Sequence, residues 1–165
     1  MNREMIAGGA FVARALLVDI PELLAVQRAA FAMEADVYGA CNVEPLRQTI
    51  EQLREEFPQL VVLKAVLDGR IAGSIRADMD GAVCRVAKLA VLPEYQGRGI
   101  GRALLERIEA AFPDAGRYRL ATGARSGRNL RLYGRAGYRE VSRRSVNAAL
   151  ELIVLEKENP RGSTS

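Results

Sequence analysis

The chain has 165 residues, 24 Lys and Arg against 20 Asp and Glu for a net charge of +4, and an apolar fraction of 49%. That length suits one domain with a full core, and the composition excludes a disordered or collagenous chain. No run approaches about 18 uninterrupted apolar residues, and the stretch from Ile6 to Val18 is broken by Arg14 and closed by Asp19, so neither a membrane span nor a signal peptide is expected.

In chain order, the first strand is expected at Ala10 to Leu17. Asp19 and Pro21 then start a helix, with Leu23, Leu24, Ala30 and Phe31 on its apolar face. Val37 to Val43 reads as a loop, and a second helix follows from about Pro45 to Phe57, carried by Leu46, Ile50 and Leu53 and stopped by Pro58. Leu60 to Leu67 is rich in β-formers, and Asp68-Gly69 is a hairpin turn into Arg70 to Asp78. Asp80-Gly81 is a second such turn, entering a strand from Ala82 to Val91 that Pro93 ends. Ile100, Leu104, Leu105, Ile108 and Phe112 mark an amphipathic helix closed by Pro113. A strand at Arg117 to Ala121, a short helix from about Ser126 to Ala136 and two strands ending near Lys157 follow. Strands in hairpins with interspersed helices predict an α+β domain over residues 1–159, with a disordered tail from 160 to 165.

Cys41 and Cys84 are too few for a disulfide framework and lack CxxC spacing, which fits a cytoplasmic protein. The absence of histidine removes Ser-His-Asp and Cys-His catalysis, and no metal site is expected. Charge is uneven: residues 1–84 carry 8 basic and 12 acidic side chains, and residues 85–144 carry 14 and 5. A basic second half could attract nucleic acid or a phosphorylated cofactor. Coding bias is the other account, since 21 of the 24 basic residues are Arg. With only 5% aromatic residues, nucleic-acid binding ranks last.

The most informative segment runs from Leu89 to Arg102, a strand that passes through a proline turn into Gly97, Gly99 and Gly101 at the start of a helix. Such glycines let the backbone approach a ligand, and the first helical N–H groups can receive a pyrophosphate. The spacing is neither GxGxxG nor a P-loop, and a turn that binds nothing is the alternative.

Gln96-x-x-Gly99-x-Gly101 after Leu89-x-Val91-x-Pro93 resembles the acyl-CoA motif of the GCN5-related N-acetyltransferases (GNAT). Asn129-Leu-Arg-Leu-Tyr133-Gly-Arg-Ala-Gly137-Tyr138 is similar to the second signature of that family, and the resemblance covers roughly residues 10 to 157. It implies a mixed, mostly antiparallel sheet of about seven strands with about four helices, and a splayed parallel pair of strands at the cofactor site. Acetyl-CoA is then the co-substrate, with no metal.

By that resemblance, the loop of Gln96, Gly97, Arg98, Gly99, Ile100, Gly101 and Arg102 would hold the pyrophosphate. The backbone of Leu89, Ala90 and Val91 would pair with the pantetheine arm, and Asn129 would hydrogen-bond it. Arg98 and Arg102 are candidates for the outer phosphates, a solvated surface being the other reading. The backbone N–H near Val91 would donate to the oxyanion of a tetrahedral intermediate. Tyr133 would lie near the sulfur and protonate the departing thiolate as general acid, packing being its other role. Where histone-modifying members carry a glutamate base, eleven residues before Gln96, this chain has Arg85, which cannot accept a proton. Glu34, near the end of the first helix, is a carboxylate candidate for that task, or else a solvated helix residue.

If Asp80-Gly81 is the turn, Arg76 falls opposite Arg85, and such a pair would suit an acceptor carboxylate. A longer turn would dissolve the argument, as would two solvent-facing arginines. The expected function is acetyl transfer to a small-molecule amine, with Arg76 and Arg85 as substrate residues. A protein or peptide N-terminus as acceptor and a non-catalytic acyl-CoA-sensing module are the alternatives. The segment from Phe31 to Glu44 would shape the acceptor pocket. No nucleic acid and no membrane partner is expected, and families of this kind are commonly homodimeric.

Overall fold

Strands joined by hairpin turns or by helices build one sheet, in which β1 (Glu4–Met5), β2 (Phe11–Arg14), β3 (Val61–Leu67), β4 (Arg70–Asp80), β5 (Val83–Val91), β6 (Arg117–Gly123), β7 (Arg139–Ser145) and β8 (Glu151–Glu158) lie in the order β1-β2-β3-β4-β5-β6-β8-β7. The computed structural model describes residues 4–6, 9–39 and 44–162. Helices are α1 (Ile20–Tyr38), α2 (Glu44–Arg47), α3 (Ile50–Glu56), α4 (Ile100–Ala110) and α5 (Gly127–Arg135). The expected α+β architecture is present, with the two-residue β1 as an added edge.

Neighbouring strands are antiparallel except β5 and β6, which run parallel and pair only from Val83↔Arg117 to Arg85↔Arg119. Beyond that point β5 stays with β4 as far as Gly73↔Val91, while β6 follows β8 to Gly123↔Leu152. The two strands therefore splay. A bulge lies on β5 just past the last parallel pair: Ser74 faces Ala90 and Arg76 faces Ala87, so Lys88 and Leu89 share Ile75. Lys88 takes a left-handed φ of 57°, and an extra residue of this kind bends its strand.

The bulge also sorts the core. Ile75, Ala77, Cys84 and Val86 pack with Ile100, Leu104, Leu105 and Ile108 of α4. Ile71, Ala90 and Leu92 pack instead with Leu23 and Val26 of α1. Leu89 and Val91, after the bulge, join the α4 side.

Several elements differ from expectation. The first strand ends at Arg14, and Leu17–Asp19 form a 3-10 turn in which Asp19 accepts from Leu16 N–H and from Lys64. Helix α1 continues through Tyr38, so the expected loop starts later; its residues 40–43 lie outside the described residues. The expected helix over Pro45–Phe57 is two helices, α2 and α3. Thr49 breaks it by accepting from Gln52 N–H at 3.1 Å while Gln52 Oε1 accepts from Thr49 N–H at 2.9 Å, a reciprocal cap that starts α3.

The Asp68-Gly69 hairpin is as expected, closed by Leu67↔Arg70. The next hairpin is not: Asp80 pairs with Val83, and the loop is Gly81-Ala82. Only Gly81 of this loop has positive φ, 61°, which a turn with its glycine first requires. The expected tail is partly ordered. Residues 160–162 turn back on Asn159, whose amide donates to the carbonyls of Pro113 and Ala115, and residues 163–165 lie outside the described ones.

Candidate active site

The splay opens a groove of about 650 Å³ between the edge of β5, the start of α4, α5 and the second half of α1. At its upper end Pro93 turns the chain out of β5. Gln96 then braces the turn, its amide donating to the Val91 carbonyl at 3.0 Å and its carbonyl accepting from Arg128 at 2.5 Å. Gly97 and Gly99 adopt φ of 80° and 83°, a region that disfavours other residues, and Gly99 caps α4. Gly97, Gly99, Ile100, Gly101 and Arg102 line the groove. The first N–H groups of α4 have no helical acceptor, so this end of the groove is suited to an anion.

Five arginines line the same groove: Arg102, Arg125, Arg128, Arg131 and Arg135. Arg98 does not join them, because its guanidinium lies over the Tyr95 ring, 5.4 Å from the centroid. Arg102 also pairs with Glu106 at 3.2 Å. Among these, Arg125, Arg128, Arg131 and Arg135 escaped the sequence reading, although 128, 131 and 135 show helical spacing around Asn129.

Along β5, Leu89 and Val91 face the groove and Ala90 is buried against α1. Leu92 N–H donates to Ala72 of β4 at 2.8 Å, so by strand alternation Val91 N–H points to the other edge, the one β6 has left. Opposite, Asn129 lines the groove and its amide donates to Thr122 at 3.5 Å.

Tyr133 follows one turn after Asn129. It is buried behind the lining, edge-on to Tyr138 at 6.0 Å, and its hydroxyl makes no hydrogen bond among the described residues. Burial raises its pKa, and the Glu34 carboxylate raises it further. Glu34 lines the groove from α1 and accepts from the Ser126 hydroxyl at 3.4 Å. Burial holds its carboxyl above the usual range, with the Ser126 bond opposing.

One turn on, the Tyr38 hydroxyl accepts from Arg125 N–H at 2.8 Å, and the Arg125 guanidinium lies 5.2 Å from the ring centroid. A Cβ on Gly123 would stand 2.4 Å from that hydroxyl. Helix α1 is thus fastened across the splay to the β6–α5 junction. Nothing local in the sequence signals this contact, since its partners lie 85 or more residues apart.

The arginine pair does not form. The hairpin shift places Arg85 opposite Asp78, which it binds through two hydrogen bonds of 2.8 and 2.6 Å. Arg76 faces Ala87 instead, and is buried beneath α1 and α3. There it donates to Gln48 at 2.7 Å, with Glu56 at 4.0 Å. Burial lowers its pKa to about 10, against the pull of Glu56. Neither arginine lines the groove.

Among the described residues, no group of three or more His, Cys, Asp or Glu is placed to hold a metal ion, and no helix is long and apolar enough to cross a membrane.

The sequence pattern of the Acetyltransferase (GNAT) family matches residues 24–138. The chain belongs to that family. It is similar to the ribosomal-protein-S18-alanine N-acetyltransferase from Escherichia coli, with a TM-score of 0.75 and 16% identity over 91% of this chain and 94% of that one. It also matches the PaiA N-acetyltransferase from Thermoplasma acidophilum, solved in complex with coenzyme A, with a TM-score of 0.72 and 19% identity over 96% and 99%. Two Bacillus subtilis proteins match in sequence. UPF0157 protein YqkA is 25% identical over 81% of this chain, and the uncharacterized protein YrkN is 29% identical over 70%. The matches span 38% and 64% of those relatives' own lengths.

Proposed function

We propose that this chain is an N-acetyltransferase that moves an acetyl group from acetyl-CoA to the amine of a small molecule, residues 1–159 forming the acetyltransferase domain. The observation that carries this reading is the splay: β6 leaves β5 after Arg119, so the edge from Leu89 to Val91 faces a groove that ends on the N-terminus of α4. A long ligand with phosphates at one end and an amide-bearing arm fits that shape. The backbone of residues 97–102 would take the pyrophosphate, and Arg102, Arg128, Arg131 and Arg135 supply charge for it. Ala90 contributes backbone only. Arg98 is stacked aside on Tyr95 and is left out of the phosphate set.

Acetyl-CoA supplies the activated acyl group, and the chain has four tasks. The β5 edge orients the arm together with Asn129. Val91 N–H is the donor aimed where negative charge develops. Glu34 holds the acceptor ammonium and takes its proton, a task favoured by its raised pKa. Tyr133 donates a proton to the leaving sulfur. Its raised pKa keeps it protonated until that sulfur arrives. The bridge from Tyr38 to Arg125 holds α1 against the β6–α5 junction on the side assigned here to the acceptor, an arrangement that would suit a small amine. A non-catalytic acyl-CoA sensor is the second reading, favoured by Arg85 in place of a glutamate.

The test is thiol release from acetyl-CoA against amino acids, polyamines, aminoglycosides and short peptides. Tyr133→Phe is expected to lower kcat by roughly a hundredfold with acetyl-CoA affinity unchanged. Full turnover in that variant removes the acid role. Tight binding of acetyl-CoA without turnover on any amine favours the sensor.

A further inference from the structure

Lys88 is the residue that the mechanism above leaves unused. It sits in the bulge of β5, three residues past the last parallel pair with β6, at the vertex of the splay. Its left-handed backbone re-aims the side chain within the strand, a device common beside active sites. The ammonium is largely shielded, with one-fifth of the side chain exposed, and it pairs with Glu44 at the start of α2. Burial lowers its pKa to about 8, so a useful fraction is the neutral amine near neutral pH.

We propose that Lys88 is a self-acylation site, its Nζ taking the acyl group of acyl-CoA bound in the groove. This rests on the acyltransferase reading above. If phosphates occupy the α4 end of the groove, the thioester end of the ligand extends toward the vertex. There Leu89 lines the groove and Lys88 is its chain neighbour. Glu44 takes one proton from the ammonium. Nζ then bonds to the carbonyl carbon, the carbon–sulfur bond breaks, and the second proton leaves with CoA as its thiol. The product is a neutral amide on Lys88, which ends the ion pair with Glu44 at the start of α2.

The composition makes the test clean. The chain has three lysines, Lys64, Lys88 and Lys157, and every other basic side chain is an arginine, which does not acetylate. Lys64 pairs with Asp19 and Lys157 with Glu109, so all three are ion-paired and differ in their place relative to the groove. The full chain is incubated with acetyl-CoA, and acetylation at each lysine is followed by peptide mass mapping. In parallel, acetyl-CoA binding is measured by calorimetry, and acetyl phosphate serves as a donor without the CoA body.

Lys88 is expected to acetylate roughly tenfold or more faster than Lys64 and Lys157 with acetyl-CoA, because only it adjoins a β5 residue that lines the groove. That preference should vanish with acetyl phosphate. Lys88→Arg, which keeps the charge facing Glu44, should abolish the fast label and leave acetyl-CoA affinity unchanged. Binding of acetyl-CoA with Lys88 unlabelled, or three lysines labelled alike, overturns the self-acylation and leaves the enzyme reading standing. Equal preference for Lys88 from acetyl phosphate also overturns it. Absence of acetyl-CoA binding overturns both.

Discussion

Arg85 and Asp78 face each other across the β4–β5 hairpin, the guanidinium gripping the carboxylate through Nε and Nη2 at 2.8 and 2.6 Å. By the resemblance to histone-modifying members, Arg85 stands where a glutamate base would be expected, and its charge is met by Asp78. The arginine is therefore already paired with a carboxylate, and it lies outside the groove. Arg85→Ala is expected to leave kcat and the acceptor KM unchanged, with only a slight fall in melting temperature, since exposed ion pairs contribute little. A several-fold rise in acceptor KM would return Arg85 to the substrate site.

Gly123→Ala tests the fastening of α1. The new Cβ meets the Tyr38 hydroxyl at 2.4 Å and its ring carbons at 2.8 and 3.0 Å, so the buried Tyr38 must shift and its bond to Arg125 N–H is strained. Overpacking of this kind costs about 1–3 kcal/mol, which for a domain of this size is roughly 2–12 °C in Tm. Tyr38→Phe removes the nearest atom, so the double variant should lose less than the sum of the two singles. Additive losses in thermal melts would mean that the two residues do not press on each other.

What was legible in the sequence follows the range of the interaction that decides each feature. The glycine turn, the Asp68-Gly69 hairpin and α4 are written in local chemistry: turn residues, a proline stop and apolar residues at 3 and 4 spacing. The splay was foreseen through family resemblance, and the bulge at Lys88 that bends β5 has no mark in its β-forming neighbours. The second hairpin misled because Asp80-Gly81 and Gly81-Ala82 are both acceptable turns. Moving the turn by one residue shifts every partner by two, which took Arg85 from Arg76 to Asp78. The contact across the splay was the least legible part, because Tyr38, Gly123 and Arg125 meet only through the tertiary fold.

The break between α2 and α3 was legible in principle, since Thr49-x-x-Gln52 is a capping pattern inside what otherwise reads as one helix. Its effect extends to Gln48, which is buried between Arg76 and Gln27. Thr49→Ala removes the acceptor for Gln52 N–H and should cost about 1 kcal/mol, or roughly 2–4 °C. Thr49→Ser keeps the oxygen and should retain most of that stability. Equal losses in the two variants would assign the effect to packing of the threonine methyl.

Alkaline pH should unfold this protein through groups that are buried and protonated. The Cys84 thiol has no exposed surface, and burial, with Asp78 and Glu109 adding, pushes its pKa from 9.0 up to about 12. A group whose pKa is higher in the folded state stabilises fully below its unfolded value, and that stability is lost as pH rises through the window, here about 9 to 12. The thiol's contribution should fall by up to about 1.4 kcal/mol per pH unit within that window. Tyr118, Tyr133 and Tyr138, all raised chiefly by burial, act in the same direction once the unfolded phenols ionise above about 10. Cys84→Ala leaves a small cavity and lowers stability at every pH, so the slope is the readout rather than the level. Lys88, held at about 8 by burial, acts the other way between about pH 8 and 10.5, so the readout is a difference. In urea melts from about pH 9 to pH 10 the midpoint of the natural chain should fall relative to that of Cys84→Ala, until the tyrosines lower both together. Parallel slopes throughout would show that the thiol ionises as readily in the folded chain as in the unfolded one.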